Sequence, residues 1–180
     1  MSADFTQDYF ALFGLPRAFV LDMAGLEQHY RELQTRVHPD KHAHLSDAER
    51  RLAMQWSTQV NEAYRTLRQP LRRAQYLLHL AGIDVQLEHN TAMPTEFLMQ
   101  QMEWREAVEE ARTGNDIQAL EHLHRRIKQE MAEQYRLLET QLDQAREAYD
   151  HPAAAGTVRQ LMFQEKLLQE IDDALATLET

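Results

Sequence analysis

An all-helical protein is what this sequence predicts, and three observations carry that prediction. Apolar residues recur at spacings of three and four over long stretches, as they do when a helix buries one face. No run alternates apolar and polar residues in the period-two manner of a half-buried strand. Glycine and proline number five each in 180 residues and sit at punctuation points between the periodic segments.

The elements follow in order. A short aromatic segment, Tyr9 to Phe13, ends at Gly14-Leu15-Pro16. Asp22 is placed to cap the next helix, whose apolar face reads Leu26, Tyr30, Leu33 and Val37. Pro39 stops that helix, because proline cannot donate to the ladder and disfavours helical angles in the residue before it. After a polar loop, Lys41 to Leu45, Ser46 and Glu49 form a capping box. The helix they open places Leu52, Trp56, Val60, Tyr64 and Leu67 on one face. Pro70 opens a further helix that reaches Leu80, with Gly82 closing it. Residues 83–94 have no period and read as a linker. Thr95 is then expected to cap a fifth helix, and Gly114-Asn115 separates it from a sixth. The sixth carries the stripe Ile117, Leu120, Leu123 or His124, Ile127, Met131, Tyr135, Leu138, Leu142, Ala145 and Tyr149. A break at Asp150-His151-Pro152 and Gly156 leads into the last helix, with Val158, Leu161, Leu168, Ile171, Leu175 and Leu178 inward. Short connections between long helices imply antiparallel neighbours, so the back half is expected to be a three-helix bundle or hairpin. The expected domains are 1–82 and 95–180, joined by 83–94.

Composition excludes several functions. The formal net charge is -10, which disfavours general nucleic-acid binding because neutralising phosphates needs a basic surface. The charge is divided unevenly: Met1 to Gly82 holds ten Lys and Arg against nine Asp and Glu, and Ile83 to Thr180 nine against twenty. A near-neutral front and an acidic back suggest two modules with different partners. There is no cysteine, which removes disulfides, thiolate metal sites and thiol catalysis together. No apolar run has the length a bilayer requires. Met1-Ser2-Ala3-Asp4-Phe5 resembles neither a signal peptide nor an Arg-rich transit peptide, so a cytoplasmic location is expected.

The informative tripeptide is His38-Pro39-Asp40, between Arg36 and Lys41. It stands where an amphipathic helix ends and a polar loop begins, and Pro39 fixes the backbone there. A tripeptide is a weak signal alone; the order of elements around it makes it specific. A short aromatic helix precedes, a helix with Arg31 and Arg36 leads in, and a helix with inward Trp56, Ala63, Tyr64 and Leu67 follows. This arrangement resembles the J-domain across roughly the first half of the chain. The resemblance implies that His38, Pro39 and Asp40, with Arg31, Arg36 and Lys41, engage the ATPase of a DnaK-type chaperone. The chain itself would then be an activator and not the catalyst, with no cofactor of its own. As a plain helix-stop turn the tripeptide would carry none of this, and basic residues on a solvated helix face are common.

The back half has neither a Gly/Phe-rich segment nor a cysteine-based zinc module. The stretches Asp8 to Pro16, Pro70 to Leu78 and Phe97 to Glu103 resemble the HscB family, J-proteins dedicated to iron–sulfur cluster assembly. With them the resemblance covers nearly the whole chain. It implies a specialised chaperone, HscA, and a cluster scaffold protein, IscU, as partners. Periodicity points to an interaction surface without that name. At about 100° per residue, Phe97, Trp104, Val108 and Ala111 share one side of the fifth helix. Leu98, Met99, Met102, Glu103, Glu106 and Glu110 centre on the other, and Phe163 lies off the inward stripe of the last helix. In HscB-like proteins the matching positions dock the scaffold, with Met102 standing where leucine is more usual. A bundle could instead bury Leu98 and Met102 against a neighbouring helix, leaving the glutamates as ordinary surface.

Other readings predict different behaviour. A J-protein for another client would keep the front half and lose the scaffold surface. His38, Asp40, His42 and His44 in one loop, with His122 and His124, could be ligands of a metal-dependent hydrolase. A metal site needs rigid ligands and supporting contacts, which a short polar loop is not expected to supply, and that argues against it. A helical adaptor without J function would leave every ATPase unaffected by His38→Gln.

Overall fold

A computed structural model of the chain describes residues 7–37, 46–85, 93–143 and 151–178, and every regular element among them is a helix. The elements are α1 (Tyr9–Leu12), α2 (Met23–Val37), α3 (Asp47–Arg68), α4 (Pro70–Leu80), α5 (Thr95–Thr113), α6 (Ile117–Asp143) and α7 (His151–Leu178). The all-α expectation holds. The chain divides into two compact units, Met1–Leu77 and Leu78–Thr180.

In the first unit the helix starts are set by local side-chain chemistry. Asp8 caps α1, its carboxylate accepting from the backbone N–H groups of Phe10 and Ala11. Burial pushes the Asp8 carboxyl up, but those two bonds and the neighbouring Arg17 guanidinium together hold it below its ordinary value. Asp22 caps α2 as expected, accepting from Ala24 and Gly25 at 3.1 Å each. A Cβ at Gly25 would stand 2.6 Å from an Asp22 carboxylate oxygen, so a larger residue there would displace the capping side chain. The Ser46–Glu49 capping box at the start of α3 is present in both directions.

The core of this unit is aromatic where α2 meets α3. Tyr30 and Tyr64 stack at 3.8 Å between ring centroids, and the Tyr30 hydroxyl donates to Asn61. Phe10, Leu26, Val60, Ala63 and Leu67 are buried, while Trp56 is half-buried. Leu52, read as inward, is 43% exposed. Tyr76 on α4 stacks on Tyr9 and its hydroxyl accepts from the Tyr9 N–H, tying α1 to α4. Burial pushes the Tyr76 phenol up.

The second unit is a three-helix bundle. The α6–α7 pair is antiparallel, since His124 meets Asp172 near one end and Gln134 meets Gln160 further along, positions that run in opposite senses. Leu120, Leu123, Ile127, Met131, Leu138 and Leu142 face inward from α6, and Val158, Leu161, Leu168 and Ile171 from α7. Leu175 and Leu178 are half-buried. Ala145 and Tyr149, expected on the α6 stripe, lie outside the described residues, as does the Val37 side chain on α2. Left-handed backbone closes three helices: Gly14 (φ 64°) after α1, Gly82 (φ 78°) after α4 and Asn115 (φ 52°) after α5.

Two expectations at helix starts are corrected. Thr95 is the first residue of α5 and not its cap; Pro94 holds the cap position without a side-chain bond. Pro152 and Gly156 lie inside α7 and do not precede it. Proline costs little in a first turn, where its missing N–H would have no partner. Gly156 is carried by the buried residues Ala154, Ala155, Thr157 and Val158 around it.

The bundle also buries a polar group that periodicity does not reveal. Gln164 is 0% exposed and neither the oxygen nor the nitrogen of its amide has a hydrogen-bond partner among the described residues. An unpaired buried amide costs about 1–3 kcal/mol, whereas an apolar group of the same shape does not. Gln164→Met should therefore stabilise the protein by about 1 kcal/mol in a urea melt, and a loss of stability would contradict this account of the site.

Candidate docking sites

The first candidate site lies at the end of α2. Arg31 is exposed and pairs with Glu27 one turn back at 2.7 Å. Such an exposed i,i+4 pair contributes only about 0.3–0.5 kcal/mol, so Arg31 can exchange Glu27 for another anion at little cost. Arg36 is exposed in the last turn. His38, Pro39, Asp40 and Lys41 lie outside the described residues, as do His42 and His44. Val37 is the last residue of α2 and Ser46 caps α3, so the tripeptide stands between them in sequence.

The second candidate site is built on α5, which uses two faces differently. Phe97 (6% exposed), Trp104 (2%), Val108 and Ala111 face the bundle, and the rings of Phe97 and Trp104 meet edge-on at 6.3 Å. Gln100 holds the helix to α6, its amide donating to both carboxylate oxygens of Glu130 at 3.3 Å. Burial pushes the Glu130 carboxyl up, against the pull of the nearby Arg126 guanidinium and the Gln100 bond. Pinned on that side, α5 turns its other face outward. Leu98 is 43% exposed, Met99 60% and Met102 72%. Glu103, Glu106 and Glu110 are exposed too, and none of them has an ion-pair partner among the described residues. The alternative that the bundle buries Met102 is thereby excluded.

Phe163 is placed differently from this group. It is half-buried on α7, edge-on to Phe97 with centroids 6.0 Å apart. The Arg105 guanidinium lies 5.1 Å above its ring centroid. Arg105 was not singled out by the sequence. It is a basic residue three positions past Met102 and seven past Leu98, which puts it on the α7 edge of the same surface.

Elsewhere the chemistry is sparse. A cleft of about 780 Å³ between α5 and α7 sets Arg105, Arg112 and Lys166 among Glu109, Glu170 and Asp173, so its charges nearly balance. His124 is engaged by Asp172 at 3.2 Å, and His122 is exposed. Among the described residues no three His, Cys, Asp or Glu side chains are grouped to hold a metal ion. No helix among them is long and apolar enough to cross a membrane.

Similarity to known proteins follows the same two-part division. Residues 8–76 match the DnaJ domain, and residues 93–172 match the HSCB C-terminal oligomerisation domain. A co-chaperone protein HscB homolog of Aromatoleum aromaticum is 57% identical over all of both chains. The chain belongs to the HscB co-chaperone family. A second HscB homolog, from Cupriavidus taiwanensis, is 52% identical over 99% of each chain. Among solved structures, chaperone HscB from Vibrio cholerae has 38% identity and a TM-score of 0.82, over 96% of this chain and 99% of that one. Human co-chaperone protein HscB has 31% identity and a TM-score of 0.85, over 94% and 82%. The protein combines a J-domain with the HscB C-terminal domain, and a DnaK-type chaperone is the partner that such a co-chaperone implies.

The two faces of α5 should separate cleanly in stability. Met99→Gln with Met102→Gln should leave the unfolding free energy within about 0.5 kcal/mol of wild type, since both side chains are solvated. Phe97→Ala should lose about 3–5 kcal/mol. A comparable loss from the methionine pair would mean that their face is part of the core.

Proposed function

We propose that the protein stimulates the ATPase of a specialised DnaK-type chaperone, HscA, and delivers to it the iron–sulfur scaffold protein IscU. The observation that carries the second half is the outward face of α5, where solvated Leu98, Met99 and Met102 are bordered by Glu103, Glu106 and Glu110, which have no ion partners among the described residues. An exposed apolar group inside a charged rim is what a partner-binding surface requires. Methionine suits it, because an unbranched polarizable side chain adapts to the surface it meets. The glutamates would steer a partner with a basic surface and add to the encounter rate more than to affinity. Phe163 contributes an aromatic anchor beside them.

Family membership supports the first half. His38, Pro39 and Asp40 contact the chaperone in this reading, with Arg31, Arg36 and Lys41 supplying positive charge around them. The protein itself hydrolyses nothing; it raises the rate at which its partner does, and it acts in the cytoplasm. Two contacts on separate units let one molecule hold the scaffold and the chaperone together. The second contact then becomes an intramolecular event at raised effective concentration.

The test is steady-state ATP hydrolysis by the specialised chaperone with this protein and the scaffold, singly and together. Wild type should give synergistic stimulation. His38→Gln should abolish it while leaving scaffold binding intact, and Leu98→Ala/Met99→Ala/Phe163→Ala should lose both synergy and scaffold binding. Stimulation that survives the triple substitution, with a scaffold that does not bind wild type, would leave a J-protein for a different client. No stimulation by wild type would overturn the assignment to this chaperone.

A further inference from the structure

Arg105 occupies an unusual place for a surface arginine. Glu106 follows it and Glu109 lies one turn on, yet it forms no ion pair among the described residues. Glu109 is taken by Arg112 at 3.7 Å, and the Arg105 guanidinium instead covers Phe163 on another helix. Phe163 is thus held twice. Its edge contact with Phe97 fixes it from the buried side, and Phe97 is itself locked against Trp104. Arg105 closes over the ring from the solvent side. A half-buried phenylalanine on a helix surface would otherwise sample several rotamers, and ordering such a side chain on binding reduces affinity. A planar guanidinium stacked on a ring opposes that freedom with a geometry that lysine's ammonium does not reproduce.

We infer that Arg105 is a positioning residue of the scaffold-docking surface: it acts through Phe163, holding the ring in the orientation in which a partner meets it. The inference rests on the docking reading above and adds a residue to it. Arg105 is the cation at the edge of an acidic surface, so a purely electrostatic role predicts a different result. A basic partner would bind more tightly once Arg105 is gone, whatever residue stands at 163.

A double-mutant cycle on the full chain separates these roles. Scaffold affinity would be measured by calorimetry for wild type, Arg105→Ala, Phe163→Ala and the double variant, with Arg105→Lys as the charge-keeping control. Arg105→Ala should weaken binding about two- to fivefold when Phe163 is present, the range expected from one cation–π contact. It should change binding by less than about 1.5-fold when Phe163 is alanine, because the two changes are then no longer independent. Arg105→Lys should recover only part of the loss. An equal effect of Arg105→Ala in both backgrounds, no effect, or tighter binding overturns the positioning role and leaves the docking surface standing. So does an unaltered affinity in Phe163→Ala. A wild-type chain that does not bind the scaffold overturns the docking surface, and the positioning role with it.

Discussion

A helix has one face to bury, and in the second unit that constraint decides everything else about α5. The antiparallel α6–α7 pair presents a long apolar seam, and α5 answers it with Phe97, Trp104, Val108 and Ala111. Removing each of the larger side chains from water contributes about 1.5–3 kcal/mol, far more than any surface contact α5 makes. The rotation of the helix about its axis follows from that. With those four residues inward, Leu98, Met99 and Met102 cannot also be inward, because they lie roughly opposite on a 3.6-residue period. The exposed surface is therefore a consequence of the core and is held as rigidly as the core is. That rigidity matters for a docking site, since a face fixed in advance need not be ordered when a partner arrives.

The first unit shows a comparable economy. Its helices are started by short-range capping, at Asp8, Asp22 and the Ser46–Glu49 pair, and held by ring stacking between Tyr30 and Tyr64 and between Tyr9 and Tyr76. The Ser46–Glu49 pair fixes where α3 begins. In sequence, His38-Pro39-Asp40 stands between the last residue of α2 and the cap of α3. Arg31 keeps only a weak local ion pair, which a partner's carboxylate can replace.

Much of this was legible in the sequence, for reasons that differ by element. The caps at Asp22 and Ser46–Glu49 read well, because a capping side chain and the N–H groups it accepts from lie within three residues of each other. The two faces of α5 read well too, since burial there follows a single period. Helix starts at Thr95 and Pro152 read less well: proline signals a boundary but does not say on which side of it the helix lies. Long-range contacts were not legible. Arg105 and Phe163 stand far apart in the chain, and nothing in either neighbourhood points to the other. Gln164 was missed for a related reason, since a polar residue on an amphipathic helix is read as solvated unless the neighbouring helix is known. Phe163 was rightly placed off the main seam of α7, but its half-burial against Phe97 follows from the α5–α7 packing alone.

The central claim, that the outward face of α5 is where the scaffold docks, is tested most directly by methionine oxidation. The full chain would be treated with dilute peroxide, with and without the scaffold, and sulfoxide formation followed at each methionine by peptide mass spectrometry. Met99 and Met102 should oxidise readily in the free protein and be protected when the scaffold is bound. Met54, which is 62% exposed on α3 in the other unit, serves as the internal control and should oxidise equally in both samples. Equal oxidation of Met99 and Met102 with saturating scaffold, under conditions where binding is independently established, would place the scaffold elsewhere and contradict the account.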